Sequence, residues 1–196
     1  MPSLALLYQF MSLPQDREKL RHILRNLSVR RGGQQFTLAS GRKSDVYVDA
    51  RVTTCRAEAI PLIGRLFLAK MSERGWHPAA VGGMSLGADP IVIAVARESL
   101  ETSTPINAYL VRKEPKGHGM KRQIEGLSGQ DPIDVVVVDD VSTTGDSTVK
   151  AIRASREAGL NVLGAICLVD REEGALQAIQ TDLNCPFDRI FRLAEL

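Results

Sequence analysis

Apolar residues alternate between two spacings along this chain. Short runs of strand length are separated by longer segments whose apolar residues recur every three or four positions. The strand-like runs are residues 79–81, 106–111, 135–138, 162–169 and 187–193. The helical segments are residues 14–29, 57–74, 91–100, 149–158 and 174–181. A strand followed repeatedly by a helix predicts an α/β fold with a parallel sheet and helices on both faces.

Residues 36–51 follow a different pattern, in which Val46 and Val48 alternate with Tyr47 and Asp49. A period of two is typical of a half-buried strand. A Ser-Gly pair at positions 40 and 41 precedes the alternation, which predicts a β-hairpin. Residues 30–33 are expected to separate this hairpin from the first helix, because they interrupt the helical pattern.

The strand at residues 135–138 is four consecutive valines, as in a strand buried on both faces. Asp139, Asp140 and Val141 come next, followed by hydroxyl residues around Gly145 and then by a helix. Small residues let the backbone approach a phosphate, and the first N–H groups of a helix lack intrahelical partners. Neighbouring carboxylates accept hydrogen bonds from vicinal hydroxyls or hold Mg²⁺ through water. Together these features indicate a ribose 5-phosphate site, although a helix cap beside solvated aspartates is the alternative.

A glycine-rich segment, residues 82–90, lies between a predicted strand and a predicted helix. It contains G-x-S-x-G around Ser85, which in this context is the nucleophile elbow of α/β-hydrolases. Such an enzyme also needs an acid and then a histidine downstream, and only His118 follows. A serine hydrolase is therefore a weak alternative.

Residues 112–122 carry six basic side chains and several glycines, which predicts a mobile basic loop. A solvated charged loop or a nucleic-acid patch would have the same composition. No aromatic residues are interleaved for base stacking, so nucleic acid is not the expected partner. The basic residues are Arg112, Lys113, Lys116, His118, Lys121 and Arg122.

The composition agrees with an ordinary globular protein. The 196 residues are 44% hydrophobic and 24% charged, with a formal net charge of +2, which argues against a protein built to coat nucleic acid. Three widely spaced cysteines form neither a disulfide framework nor a metal motif. The sequence shows no convincing signal peptide and no apolar run of membrane-spanning length, so we expect a cytoplasmic protein that does not contact a membrane.

Four segments together resemble one enzyme family. The sequence VVVVDDVSTTGDST resembles the phosphoribosyl pyrophosphate (PRPP) signature of type I phosphoribosyltransferases. FTLASGRKSDVY, RKEPKGHG and LVDREEGA resemble the hood, the flexible catalytic loop and the base-carboxylate segment of orotate phosphoribosyltransferases, in the family's order. The resemblance implies the type I phosphoribosyltransferase fold, a Rossmann-like parallel sheet flanked by helices. Residues 1–196 would form a single domain, with residues 1–55 contributing an N-terminal helix and a small hood.

The implied reaction joins orotate to the ribosyl group of PRPP, giving orotidine 5′-monophosphate and pyrophosphate, with Mg²⁺, in de novo pyrimidine biosynthesis. The resemblance assigns Tyr47, Thr143 and Arg171 to orotate, with Arg171 on its carboxylate. The implied catalytic residues are Lys113, Lys116, His118, Asp139 and Asp140. The implied PRPP-binding residues are Arg112, Lys113, Lys116, His118, Asp139, Asp140, Val141, Ser142, Thr143, Thr144, Gly145, Asp146 and Ser147. Mg²⁺ would bind through PRPP, and through water to Asp139 and Asp140.

Two positions depart from the pattern of many relatives, since Ala39 and Leu86 stand where those enzymes carry lysine. The resemblance also implies a homodimer in which the basic loop, residues 112–122, reaches the neighbouring subunit's site. A surface ion pair is the alternative role for Arg171. A purine-type phosphoribosyltransferase and a non-catalytic regulator on the same fold are the alternative functions within this fold.

Overall fold

The computed structural model describes residues 4–37, 43–114, 123–127 and 132–196. Within them the α-helices are α1 (Leu4–Leu27), α2 (Arg51–Thr54), α3 (Ile60–Glu73), α4 (Asp89–Ser99) and α5 (Asp146–Glu157). A π-helical turn at Gln177–Thr181 and a 3₁₀ turn at Leu193–Glu195 follow. The strands are β1 (Val29–Thr37), β2 (Lys43–Val48), β3 (Ala80–Met84), β4 (Asn107–Val111), β5 (Ile124–Glu125), β6 (Asp134–Ser142), β7 (Asn161–Asp170) and β8 (Phe187–Arg192).

The larger sheet of the described residues has six strands in the order β5-β4-β3-β6-β7-β8. All its neighbours are parallel except the short edge strand β5, which runs antiparallel to β4. The prediction of a parallel sheet is therefore confirmed. The two-residue strand β5 was not predicted, because a segment so short shows no periodicity.

The central strand β6 packs against helices on both faces of this sheet. Val136 and Val138 belong to a buried cluster that includes residues of α1, α3 and α4. Val135 and Val137 belong to a second cluster that includes residues of α5. Alternation along the strand therefore buries every valine of the run, which explains why the sequence there is continuously apolar.

Two boundaries near the N-terminus differ from the prediction. Helix α1 begins at Leu4 and contains Pro14 in its interior, so the expectation of a start at residue 14 is wrong. Residues 4–13 are mostly good helix formers, and the loss of one backbone donor at the proline does not end the helix. Residues 30–33, expected to be a break, belong to β1. Gly32 has a φ of +77°, and the pairing with β2 is irregular between Arg31 and Phe36.

The smaller sheet is the antiparallel hairpin of β1 and β2, hereafter the hairpin. Its predicted turn at Ser40 and Gly41 lies outside the described residues. Backbone and side-chain hydrogen bonds connect the base of the hairpin to its neighbours: Asp49 N donates to Ser28 O over 3.0 Å, and the buried hydroxyls of Ser28 and Thr53 lie 2.7 Å apart. These bonds fix the end of β2 against the end of α1 and the short helix α2.

A charged triad holds α1 against the helix pair α3 and α4. Arg65 of α3 lies 2.8 Å from a carboxylate oxygen of Asp16 and 3.4 Å from one of Glu98. All three side chains are largely buried, at 25%, 13% and 11% exposed. Because two carboxylates share one guanidinium, the three helices are joined at a single point.

Among the described residues, no helix combines the length and the hydrophobicity of a membrane span.

Tyr109 of β4 connects its own strand and the neighbouring strand β3 to α5. Its ring covers Gly82 of β3, where a Cβ would overlap the ring, so glycine is required there. The phenol is fully buried and lies 3.0 Å from Ser155 Oγ of α5, which itself donates to Ala151 O over 2.8 Å. Burial raises the pKa of Tyr109 to about 12, so the phenol remains neutral. The contact holds α5, and with it the loop that precedes the helix, against the sheet.

We predict unequal losses of stability when this pair is broken from either side. Ser155→Ala leaves the buried phenol without a partner and should lower the free energy of unfolding by about 2 kcal/mol. Tyr109→Phe leaves Ser155 bonded to Ala151 and should lower it by about 1 kcal/mol. Urea denaturation of both variants measures the difference. A larger loss for Tyr109→Phe than for Ser155→Ala would contradict this account.

Candidate active site

The loop between β6 and α5, residues 143–145, lies at the carboxyl edge of the sheet. Gly145 has a φ of +87° and immediately precedes α5. A Cβ at this position would lie 3.1 Å from Ala175 Cα, so both the conformation and the packing favour glycine. Among the described residues no side chain caps the start of α5. The loop therefore presents an uncapped helix N-terminus, which can bind an anion through its N–H groups.

The two predicted carboxylates lie within β6, which continues to Ser142 and does not stop before them as the sequence suggested. Asp139 is 4% exposed. Its Oδ1 accepts from Asp140 N over 3.0 Å, and its Oδ2 accepts from Thr148 Oγ1 over 2.6 Å. Asp140 is partly exposed, and its Oδ1 accepts from Val141 N over 2.8 Å. Asp139 is thus held inside the protein, while Asp140 faces the edge.

Burial raises the pKa of both carboxyl groups. The pKa of Asp139 rises from 3.8 to about 7, through burial first and the neighbouring charge of Asp140 second. Burial also raises the pKa of Asp140, and the N–H of Val141 and the charge of Arg51 oppose that shift. One buried site does not readily hold two adjacent negative charges, so the pKa of Asp139, the more buried of the two, is raised.

The glycine-rich loop between β3 and α4 approaches the same carboxylates. A Cβ at Gly87 would lie 2.6 Å from Asp140 Oδ1, so the backbone of the loop contacts the acid directly. The next side chain toward the N-terminus, Leu86, is 69% exposed. The loop and the end of β6 therefore form one continuous surface at this edge.

Ser85 does not have the contacts of a hydrolase nucleophile. Its Oγ donates to Asp89 Oδ1 over 2.9 Å, and its N donates to Val111 O over 2.9 Å. Among the hydrogen bonds of the described residues, none joins Ser85 to a histidine. His118 lies outside the described residues. The contact with Asp89 joins the Ser85 hydroxyl to a side chain in the first turn of α4, which is a structural role.

Arg171 follows β7 and contacts the hairpin. Its side chain is 3% exposed, so the alternative of a solvated surface ion pair does not apply. Nε donates to Glu173 Oε1 over 2.8 Å, one terminal nitrogen to Val46 O over 3.1 Å and the other to Ser44 Oγ over 3.0 Å. Three of the five N–H groups of the guanidinium are used in this way, and the other two have no partner among the described residues. Arg171 therefore joins β2 to the sheet edge.

Tyr47 lies on β2 between the two hairpin residues that Arg171 contacts and the end of the strand. Its ring stacks on Phe36 of β1, with centroids 5.4 Å apart and planes 26° apart. The pair makes an aromatic surface on the hairpin, of the kind that can cover a planar base. Ala39 lies outside the described residues.

The structure describes only the ends of the basic loop. Arg112 and Lys113 follow β4 and are exposed. Arg112 N donates to Gln123 O over 2.9 Å, and its guanidinium lies 3.4 Å from Glu125. These bonds bring the two described ends of the loop together. Lys116, His118, Lys121 and Arg122 lie outside the described residues.

Three features of this edge were not found from the sequence. Thr148, expected to offer its hydroxyl to a phosphate, is 1% exposed and donates to Asp139. The Oγ of Ser142 is buried and has no partner among the described residues. The charge of Arg51 opposes the rise in the pKa of Asp140. Only Arg51 had a sequence signal, since it closes the Asp-x-Arg that ends the hairpin pattern.

Comparison with curated proteins found many relatives along most of the chain. An orotate phosphoribosyltransferase of Aquifex aeolicus is 45% identical over 92% of this chain and 97% of its own length. One from Mycobacterium avium is 42% identical over 91% of this chain and 95% of its own. No model of a protein family matches the chain.

This chain belongs to the orotate phosphoribosyltransferase family.

Solved structures of the family agree with the fold. The orotate phosphoribosyltransferase of Mycobacterium tuberculosis in complex with PRPP superimposes with a TM-score of 0.75 at 37% identity, covering 92% of this chain and 98% of the other. The same enzyme in complex with Fe(III) dicitrate gives a TM-score of 0.78 at 40% identity, with the same coverage. The adenine phosphoribosyltransferase of Leishmania tarentolae has a TM-score of 0.63 at 17% identity, which shows a shared fold alone.

We predict that the stability of this orotate phosphoribosyltransferase family member depends on pH through Asp139. Because the folded pKa lies above the ordinary one, the folded state binds a proton that the unfolded state releases. The free energy of unfolding should therefore fall as pH rises from about 4 to about 7, by a few kcal/mol. Asp139→Asn removes this contribution, so its stability should equal or exceed that of the wild type above pH 7 and depend less on pH.

Denaturant unfolding from pH 4 to pH 8 measures this dependence. Asp134→Asn is a matched control at the opposite, exposed end of the same strand. Equal pH dependence in Asp139→Asn and the wild type would contradict the assignment of the proton to Asp139.

Proposed function

We propose that this chain is an orotate phosphoribosyltransferase, which transfers the 5-phosphoribosyl group of PRPP to orotate and releases pyrophosphate, in de novo pyrimidine biosynthesis. One observation carries the proposal. At one edge of the sheet, the uncapped N-terminus of α5, the partly exposed Asp140 and the glycine loop at Gly87 lie together, in a chain of this family. A phosphate, a ribose and a diphosphate are the three parts of PRPP that such an edge can bind.

The 5-phosphate is bound by the loop before α5 in this proposal. The N–H groups at the start of the helix and the hydroxyls of Thr143, Thr144 and Ser147 donate to its oxygens. Gly145 lets the backbone approach, and Asp146 contributes its N–H, since a carboxylate would not face a phosphate. Val141 and Ser142 end β6 directly before the loop, and Ser142 Oγ, which has no partner among the described residues, is a further donor.

The two aspartates have different roles in the proposed mechanism. Asp140 accepts hydrogen bonds from the ribose hydroxyls and favours the positive charge that develops on the ring as the C1–O bond breaks. Asp139 is a positioning residue, because its oxygens are bonded to Asp140 N and Thr148 inside the protein. N1 of orotate then forms its bond to C1, and its proton passes to an oxygen of the departing diphosphate.

Cationic side chains stabilise the departing diphosphate, whose bridging oxygen takes the electron pair of the broken bond. We assign this role to Arg112 and Lys113, exposed at the end of β4, and to Lys116 and His118 of the same loop. A histidine can also protonate the leaving group, because imidazole titrates near neutral pH. Closure of the loop over the site would exclude water.

Mg²⁺ is proposed to bind together with PRPP. Among the described residues no cluster of three or more His, Cys, Asp or Glu side chains is arranged to hold a metal. Mg²⁺ often binds through one carboxylate and substrate phosphates, and Asp140 fits this role better than the fully bonded Asp139. When bound, the ion would neutralise part of the charge on the diphosphate.

Orotate is proposed to lie between the hairpin and the sheet edge. The two remaining N–H groups of Arg171 suit its carboxylate, Thr143 offers a hydroxyl, and Tyr47 borders the base. In this arrangement the hairpin serves as a hood within a single domain of residues 1–196. The free thiols of Cys55, Cys167 and Cys185 support a location in the reducing cytoplasm.

An orotate assay tests the proposed function. We expect loss of orotate absorbance only when PRPP and Mg²⁺ are both present, and no comparable turnover of adenine, guanine or uracil. Asp140→Asn should reduce kcat by roughly 100-fold or more, since it removes a charge facing the cationic ring. Ser85→Ala should retain most of the activity, because its hydroxyl is bonded to Asp89 of α4 and has no role in the proposed mechanism. Turnover of a purine without turnover of orotate would refute the base assignment.

We also propose that the active form is a homodimer in which the basic loop, residues 112–122, serves the neighbouring subunit. The surface of α2 and α4, which contact each other, supports a subunit interface there. Val52 of α2 is 43% exposed and Ile93 of α4 is 57% exposed. Exposed aliphatic side chains on adjacent helices are typical of surfaces that pair with another chain.

Mixing two inactive variants tests the shared loop. Lys113→Ala and Asp140→Asn damage different parts of the site, so a heterodimer has one intact site only if the loop acts across the interface. Co-expressed variants should then regain about a quarter of wild-type activity, from the random fraction of heterodimers. Light scattering establishes the dimer independently. No recovery in confirmed heterodimers would show that the loop acts within its own subunit.

A further inference from the structure

Arg51 is a cation at the candidate site that has no role in the proposed mechanism. It starts α2, directly after the hairpin, and its side chain is 52% exposed. Helix α2 contacts α4, the helix that directly follows the Gly87 loop, and Gly87 itself packs against Asp140. The charge of Arg51 also opposes the rise in the pKa of Asp140. Arg51 therefore starts a helix that lies beside the loop and the acid of the sheet edge.

Asp49 fixes the orientation of this guanidinium. Nε of Arg51 donates to Oδ1 over 2.9 Å, and one terminal nitrogen donates to Oδ2 over 3.2 Å. The backbone N–H of Arg51 also donates to Oδ1, over 3.2 Å. The carboxylate thus occupies one edge of the planar group. Among the described residues the other terminal nitrogen, Nη1, makes no hydrogen bond to a side chain or carbonyl, and it presents two N–H donors.

The loop that approaches Asp140 provides no cation of its own. Its side chains next to Gly87 are Leu86, which is 69% exposed, and Ser85, which is bonded to Asp89. A diphosphate leaving at this point carries about three negative charges and needs donors that are already oriented. A fixed arginine beside Asp140 meets that need, because its geometry does not depend on closure of the basic loop.

We propose that Arg51 binds the diphosphate of PRPP through Nη1, beside Asp140 and the Gly87 loop. The inference rests on the proposed function. Arg171 contacts β2 at Val46 and Ser44, five and seven residues before Arg51. The two arginines therefore serve different ends of the bound substrates, Arg171 the base and Arg51 the diphosphate.

Steady-state kinetics of Arg51→Gln test this role. We expect the KM for PRPP to rise at least about tenfold, with the KM for orotate within about twofold of the wild type. The Kd of pyrophosphate with Mg²⁺, measured by calorimetry, should rise in parallel. A PRPP KM and a pyrophosphate Kd that both remain within twofold of the wild type would overturn the proposal. A rise in the orotate KM alone would overturn it too, by assigning Arg51 to the base.

Arg56→Gln is the matched control. Arg56 is 49% exposed and bonded to Glu58 two residues away, as Arg51 is to Asp49. Its kinetics should match those of the wild type. Arg51→Met is the second variant if Arg51→Gln does not fold, since it retains much of the apolar stem, and thermal melts establish folding for each protein.

A cation supplied from the neighbouring loop shows whether Arg51→Gln loses affinity through the missing charge or through a change in the hairpin. Leu86→Lys introduces an ammonium next to Gly87, so the double variant of Arg51→Gln with Leu86→Lys should recover part of the lost affinity for PRPP and pyrophosphate. If it recovers none, the loss came from the hairpin and the proposal fails. A wild-type protein without orotate turnover would instead refute the proposed function itself, a result that is separate from both variants.

Discussion

Two adjacent carboxylates at the end of a buried strand are the constraint on which this site depends. A strand alternates its side chains, so neighbours in sequence cannot share one environment. Here one acid is enclosed and bonded to Thr148 of α5, while the other faces the edge. The enclosed Asp139 accepts the backbone N–H of Asp140 and so helps to orient the acid at the sheet edge. Burial raises the pKa of Asp139, while the Val141 N–H and the charge of Arg51 favour the ionised form of Asp140.

Close backbone approach is the second requirement, and glycines provide it at two loops. Gly87 brings one loop onto Asp140, and Gly145 turns the chain into α5 at a conformation that other residues rarely adopt. These loops follow β3 and β6, which are neighbours in the parallel sheet, so their ends meet at one edge. The arrangement follows from topology, since the carboxyl ends of parallel strands converge there. Tyr109 of β4 supports the loop before α5 from a distance, because it packs on β3 and bonds to Ser155 of α5.

The sequence predicted the central sheet well because its signals are local. Four valines, two acids and a hydroxyl loop identify a strand, an edge and an anion site without reference to the rest of the chain. The errors have two sources. Helix α1 does not start at Pro14, because the residues before the proline are good helix formers, whereas Thr148 is engaged by a carboxylate that is nine residues away. The contacts of Arg171 with Ser44 and Val46 join residues more than 120 positions apart, which no periodicity can show.

The hairpin is attached to the sheet edge partly through residues of the site itself. Arg171 bonds to the backbone and side chain of β2, and Arg51 at the other end of the segment acts on Asp140. In the proposed complex, the ligand carboxylate binds a guanidinium that already holds the hairpin. Binding and the position of the hairpin are therefore coupled, because different N–H groups of one side chain serve both. In the proposed complex, a change in the contact between Arg171 and the ligand therefore changes the contact between Arg171 and the hairpin. A base that lacks a carboxylate would occupy the site without binding Arg171, the residue that joins the hairpin to the sheet.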